Sequence, residues 1–132
     1  MQPLKNWRTL EADGRIRANQ MRVLVVEDDR AFRQLLKYVL KDVAEIVGEC
    51  VDGSECVDAY RTLQPDWVLM DMELKNTDGL TATRRILEIW PDAQVLMLTA
   101  HNDDSLRKAA LGAGAQGYLL KESLFEVNSW LR

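Results

Sequence analysis

"VLVVEDD", residues 23–29, sets how the rest of the chain is read. Four apolar residues, Val23 to Val26, run without interruption into three carboxylates, Glu27, Asp28 and Asp29. A short, β-branched apolar run of this kind reads as a strand buried on both faces. The carboxylates then crowd at its carboxyl end, where like charges repel and a counter-charge is needed.

The chain around it has 132 residues, enough for one domain with one core. Apolar residues make up 47% and charged residues 29%, a globular balance without the composition of bulk disorder. A net charge of −4 argues against a protein whose main task is neutralising nucleic-acid phosphates, so no direct nucleic-acid binding is expected. No apolar run approaches the roughly 20 residues that span a bilayer, and no apolar signal-peptide core opens the chain. The expected location is the cytoplasm, with no membrane partner. Cys50 and Cys56 lack metal-ligand company, because His101 is the single histidine, and both read as ordinary buried or half-buried thiols.

Residues 1–20 have a scattered apolar pattern and are read as an N-terminal extension, flexible or forming a short helix. From Met21 to residue 132 the pattern alternates. After "RVLVV", Asp29 is placed to cap a helix carrying Phe32, Leu35, Leu36, Val39, Leu40 and Val43 at helical spacing. "EIVGEC" (45–50) reads as a second strand, and Ser54 to Leu63 as a helix ending before Pro65. "DWVLMDM" (66–72) is a third strand, followed by the loop "ELKNTDG" and a helix that stops at Pro91. "AQVLMLTA" (93–100) is a fourth strand; Asp103 or Asp104 caps the next helix, which ends at Gly112–Gly114. "QGYLLK" (116–121) is a fifth strand, and Glu122 to Leu131 a short last helix. Strands alternating with helices predict a doubly wound α/β fold, a parallel sheet with helices on both faces.

In such a sheet ligands sit beyond the carboxyl ends of the strands. Those ends deliver Glu27 and Asp28, Asp71, Thr99 and Lys121, with Asp52 farther from the switch point if the strand order is 2-1-3-4-5. Three mutually repelling carboxylates with no thiol or imidazole among them suit Mg²⁺, an oxygen-seeking cation. A carboxylate beside such a cation, with a hydroxyl and an ammonium nearby, is equipped for phosphoryl transfer. Asp71 is the candidate nucleophile, Lys121 and the cation offset charge, and Thr99 bonds a phosphoryl oxygen.

"VLVVEDD", "PDWVLMDMEL", "DGL", "VLMLTA" and "GAQGYLLK" carry a resemblance: the chain is similar to the receiver domain of bacterial response regulators, CheY-like in fold, over roughly residues 21–122. The resemblance implies a flavodoxin-like (βα)5 sheet of strand order 2-1-3-4-5. It implies that Asp71 accepts phosphate from a sensor histidine kinase and that Glu27, Asp28 and Asp71 bind Mg²⁺ together with the backbone carbonyl of Glu73. Thr99 and Lys121 would contact the phosphoryl group, and Tyr118, three positions before the lysine, would turn as Thr99 moves. The side chains of Glu73 and His101 fall at positions that border the phosphate in similar receivers, and are expected to modulate its lifetime. Such a domain catalyses only its own phosphorylation and dephosphorylation.

"GYLLKES" and "AALGAGAQG" are most like NarL/LuxR-type receivers, which implies transcription control through a DNA-binding domain outside this chain. A stand-alone phosphate shuttle is the other form a receiver takes. A phosphorylation-dependent homodimer through the face of the fourth helix, fifth strand and fifth helix is a further expectation. Two departures stand out: Lys75 replaces the proline frequent four residues after the phosphoacceptor, and Asn128 and Ser129 are poor interior helix formers. An aspartyl phosphatase of the haloacid-dehalogenase type would want a second aspartate where Glu73 stands. A nucleotide-binding module would want glycines where "VVEDDRAF" has none.

Overall fold

The computed structural model describes residues 9–10, 16–17 and 20–131. Five strands form one parallel sheet: β1 (Met21–Val26), β2 (Ala44–Cys50), β3 (Trp67–Asp71), β4 (Val95–Thr99) and β5 (Gly117–Leu120), in the order β2-β1-β3-β4-β5. Thr9–Leu10 and Ile16–Arg17 pair separately as a small antiparallel ladder. The rest of residues 1–19, where an extension or short helix is expected, lies outside the described residues.

Alternation within the strands divides the core in two. Leu24 and Val26 face one side with Val68, Met70 and Met97, while Val23 and Val25 face the other with Leu69, Leu96 and Leu98. The first layer is covered by α2 (Cys56–Leu63), α3 (Gly79–Ile89) and α4 (Asp104–Gly112), through residues such as Tyr60, Ile86 and Ala110. The second is covered by α1 (Arg30–Leu40) and by the terminal segment that ends in α5 (Val127–Trp130). Burial on both faces explains why β1, β3 and β4 read as unbroken apolar runs.

Local chemistry starts and stops the helices. Asp29, Asp78 and Asp103 each accept a backbone N–H of the first turn, from Ala31, Thr81 and Ser105 respectively. Asp52 and Glu55 form a reciprocal capping box over a 3₁₀ turn, Gly53–Glu55, that leads into α2. This places the helical backbone one residue earlier than Ser54. α2 ends at Gln64, whose left-handed φ of 44° breaks the helix immediately before Pro65. Gly114, with φ of 103°, closes the turn after α4.

Three expectations change. Leu35 (44% exposed) and Val43 (36% exposed) lie outside the buried face of α1, which is carried by Leu36, Val39 and Leu40. α1 ends at Leu40, so Val43 no longer follows its spacing. The last helix is not continuous from Glu122: Lys121–Glu126 is a 3₁₀ segment with non-helical φ/ψ at Ser123, and only one α turn follows. The propensities of Asn128 and Ser129 agree with that short turn, and Asn128 Oδ1 is buried without a partner among the described residues. Among the described residues no helix is long and apolar enough to cross a membrane.

Candidate functional site

Parallel register brings the strand ends level. Val26 pairs with Met70, Asp71 with Leu98, and Thr99 with Leu120, so Glu27, Asp71, Thr99 and Lys121 emerge at one edge. Carboxylate oxygens of Glu27, Asp28 and Asp71 all lie within 4.8 Å of one another. Glu27 and Asp71 are buried (1% and 2% exposed), whereas Asp28 is half-buried and stands toward solvent. All donors in this set are carboxylate oxygens, the chemistry a hard divalent cation takes.

Lys121 supplies the counter-charge within the chain. Its Nζ donates to Glu27 Oε1 at 2.8 Å and lies 3.3 Å from Asp71 Oδ1. Burial, with repulsion from Asp71, pushes the Glu27 carboxyl up to about 7 even though Lys121 and the Asp29 N–H work against it. Burial by itself would lower Lys121; hydrogen bonding to Glu27 and attraction to Asp71 overcome it and hold the ammonium above its ordinary range. One ammonium among three carboxylates leaves the site with surplus negative charge, and a bound cation of higher charge fits that deficit.

Thr99 is fully buried, and its hydroxyl donates to Glu73 Oε1 while accepting the N–H of His101 at 3.1 Å. Burial raises the Glu73 carboxyl, with the Thr99 hydrogen bond acting in the opposite direction. His101 Nε2 stands 3.8 Å from the same Glu73 oxygen. The Glu73 N–H donates to Asp71 Oδ1 at 3.0 Å, which turns the chain around the aspartate. The half-buried Tyr118 directs its hydroxyl at the His101 carbonyl, so it faces the loop after β4.

The sequence-predicted residues are thus brought together, in two groups. Glu27, Asp28, Asp71 and Lys121 form one; Thr99, Glu73, His101 and Tyr118 form the other, joined to the first through Glu73 and Asp71. Three contributors escaped the sequence reading. Arg33 Nη1 donates to the Glu27 carbonyl at 2.8 Å, and the Phe32 ring lies under the Lys121 ammonium, 4.6 Å from Nζ to the ring centroid. Both sit in the first turn of α1, and their closeness to the acidic cluster in sequence was the available signal. Asp52, set aside as distant, accepts the Thr77 N–H at 3.1 Å, and the Gly53 N–H donates to the Thr77 carbonyl at 3.2 Å. That pair of bonds fastens the loop after β3, where Lys75 stands in place of a proline.

The response regulator receiver domain model matches residues 23–127. The transcriptional regulatory protein DegU of Brevibacillus brevis is 34% identical over 109 residues, covering 81% of this chain and 46% of that protein. The chain therefore spans about half the length of that curated relative. The chemotaxis protein CheY of Halobacterium salinarum is 37% identical over 99 residues, covering 75% of this chain and 82% of that one. Among solved structures, the signal receiver domain of response regulator NarL from Mycobacterium tuberculosis superposes with a TM-score of 0.76 at 27% identity, covering 82% of this chain and 92% of that domain. With the 2-1-3-4-5 sheet and the acidic strand ends already in place, these likenesses agree: the chain belongs to the family of response regulator receiver domains of two-component systems.

Proposed function

We propose that Asp71 accepts a phosphoryl group from the phosphohistidine of a sensor histidine kinase, in a reaction that requires Mg²⁺. The observation that carries this is the setting of Asp71: a buried carboxylate at a strand end, 3.3 Å from an ammonium and beside two more carboxylates. An Asp71 oxygen forms the new bond to phosphorus as the phosphorus–nitrogen bond breaks. The imidazole leaves with that electron pair, and the product is an acyl phosphate. Lys121 meets the charge on the phosphoryl oxygens, and the Thr99 hydroxyl leaves Glu73 to donate to one of them.

Glu27, Asp28 and Asp71, with the Glu73 backbone carbonyl, are the residues that would hold the cation. Bound there, Mg²⁺ offsets the charge of the transferring group. As the Thr99 hydroxyl turns inward, Tyr118 follows, and the surface of α4, β5 and the terminal segment changes with it. Glu73 and His101 border the phosphoryl position and set how readily water reaches it.

The name of the DegU relative supports transcription as the output; in that form a DNA-binding domain outside this chain would carry it, and phosphorylation would bring two copies together. The coverage of the CheY relative supports a stand-alone shuttle equally directly. In either form the chain works in the cytoplasm and turns over no separate substrate. The test is intact mass after incubation with Mg²⁺ and acetyl phosphate. One added phosphoryl group, lost without Mg²⁺ and in Asp71→Ala, is expected; addition that persists in Asp71→Ala defeats the proposal.

A further inference from the structure

Among the described residues, Lys121 Nζ lies beside Glu27 Oε1 at 2.8 Å, Asp71 Oδ1 at 3.3 Å and the Phe32 ring, whose centroid is 4.6 Å away. Two are anions, and the third is a neutral π face. Lysine ends in a point charge on a flexible four-carbon stem, so its position depends on what it touches. An arriving phosphoryl group brings new anions that compete with Glu27 and Asp71 for the ammonium. The ring takes no part in that exchange. It carries no charge, does not titrate, and attracts the cation through its quadrupole.

We propose that Phe32 is a positioning residue for phosphoryl transfer, holding the Lys121 ammonium over the site while its anionic partners change. An acidic side chain at this place would hold the lysine too, but would compete with the phosphoryl oxygens for it. An aliphatic one would fill the volume and leave the ammonium free to swing toward water, since the Lys121 side chain is 20% exposed. The bland reading is that Phe32 only packs, because it is half-buried against the Val23–Leu36 side of the core. Volume alone would then matter, and a ring-free residue of similar size would serve as well.

The inference rests on Asp71 being the phosphoacceptor, and the experiment separates the two. Phosphorylation of Asp71 by acetyl phosphate is timed at saturating Mg²⁺ in wild type, Phe32→Leu, Phe32→Met and Phe32→Tyr. Thermal midpoints are recorded, together with the proton shifts of the Lys121 ε-methylene without Mg²⁺. The two ring-free variants are expected to react roughly three- to tenfold more slowly. Phe32→Tyr should stay within about twofold of wild type, because its ring keeps the π face. The Lys121 ε-methylene protons should move downfield in the ring-free variants only, as the ring current is lost. Ring-free variants that react at the wild-type rate overturn the proposal, as does a Phe32→Tyr as slow as Phe32→Leu. If wild type takes up no phosphoryl group, the reading of Asp71 has failed; the ε-methylene shifts then decide whether Phe32 holds Lys121, and unchanged shifts in Phe32→Leu overturn that too.

Discussion

The Thr99 hydroxyl donates to the Glu73 carboxylate, two residues beyond the aspartate that this hydroxyl is expected to serve. On the proposed reading, Glu73 takes the hydroxyl that a phosphoryl oxygen would otherwise accept. Breaking a hydrogen bond to a charged group costs more than breaking a neutral one. Glu73→Ala should free Thr99 and speed phosphorylation by acetyl phosphate roughly threefold to tenfold, as about 1 kcal/mol of competing interaction is removed. Time courses of intact mass check this, and a rate equal to or below wild type would remove Glu73 as a competitor.

The same experiment bears on phosphate lifetime. Glu73→Ala and His101→Ala should each change the half-life of the acyl phosphate once donor is removed, because the Glu73 carboxylate accepts the Thr99 hydroxyl and the His101 imidazole stands 3.8 Å from that carboxylate. Unchanged half-lives in both variants would leave His101 an ordinary exposed loop histidine.

Surplus carboxylate at the strand edge predicts stabilisation by a divalent cation. At tenfold above its dissociation constant, a ligand bound only by the folded state adds about 1.4 kcal/mol. Mg²⁺ should raise the thermal midpoint of wild type and leave that of Asp28→Ala unmoved, as Asp28 supplies one of the three clustered carboxylates. An equal rise in both proteins would place the cation elsewhere.

Gly79 opens α3 directly against the end of the strand that carries Asp71. A β-carbon there would overlap the Asp71 carbonyl oxygen and sit 3.0 Å from Met72 Cα. Both are backbone atoms that cannot swing aside. Gly79→Ala should cost about 1–3 kcal/mol in chemical denaturation, the usual range for overpacking. It should also slow Asp71 phosphorylation, because the displaced backbone carries the aspartate. Full stability with full rate would refute the close approach.

Asp52 gives a pH dependence of known sign. Its carboxylate caps Ser54, from which its lowered pKa chiefly comes, and it also bonds Thr77. A carboxyl depressed in the folded state adds stability above its unfolded pKa, near roughly 3.9, and that contribution is lost as pH falls through the folded value. Asp52→Asn should therefore melt below wild type at neutral pH, and the two midpoints should converge as pH falls well below roughly 3.9. A gap that is constant with pH would mean that the charge of Asp52 contributes nothing.

Much of this was legible in residue order. Unbroken apolar runs at 23–26, 67–70 and 95–98 required strands covered on both faces, which forced helices between them and put their last residues at one edge. Asp29 was readable as a cap, and Asp103 as one of two candidates with Asp104, because a cap acts within three residues of itself. The terminal segment was less legible. Weak propensities at Asn128 and Ser129 warned of a short helix, but only its packing shows the Trp130 ring lying so close over Gly117 that no β-carbon fits there.

Sequence alone therefore determined the fold class, the strand edge and the carboxylates, hydroxyl and ammonium at that edge, since periodicity and capping are local. It could not say which group each would bond. Glu27 meets Lys121 across 94 residues, Thr99 meets Glu73 across 26, and Thr77 meets Asp52 across 25. Those pairings follow from strand register and loop path, which are settled only when the whole sheet is packed, and they decide which carboxylate holds the ammonium and which holds the hydroxyl.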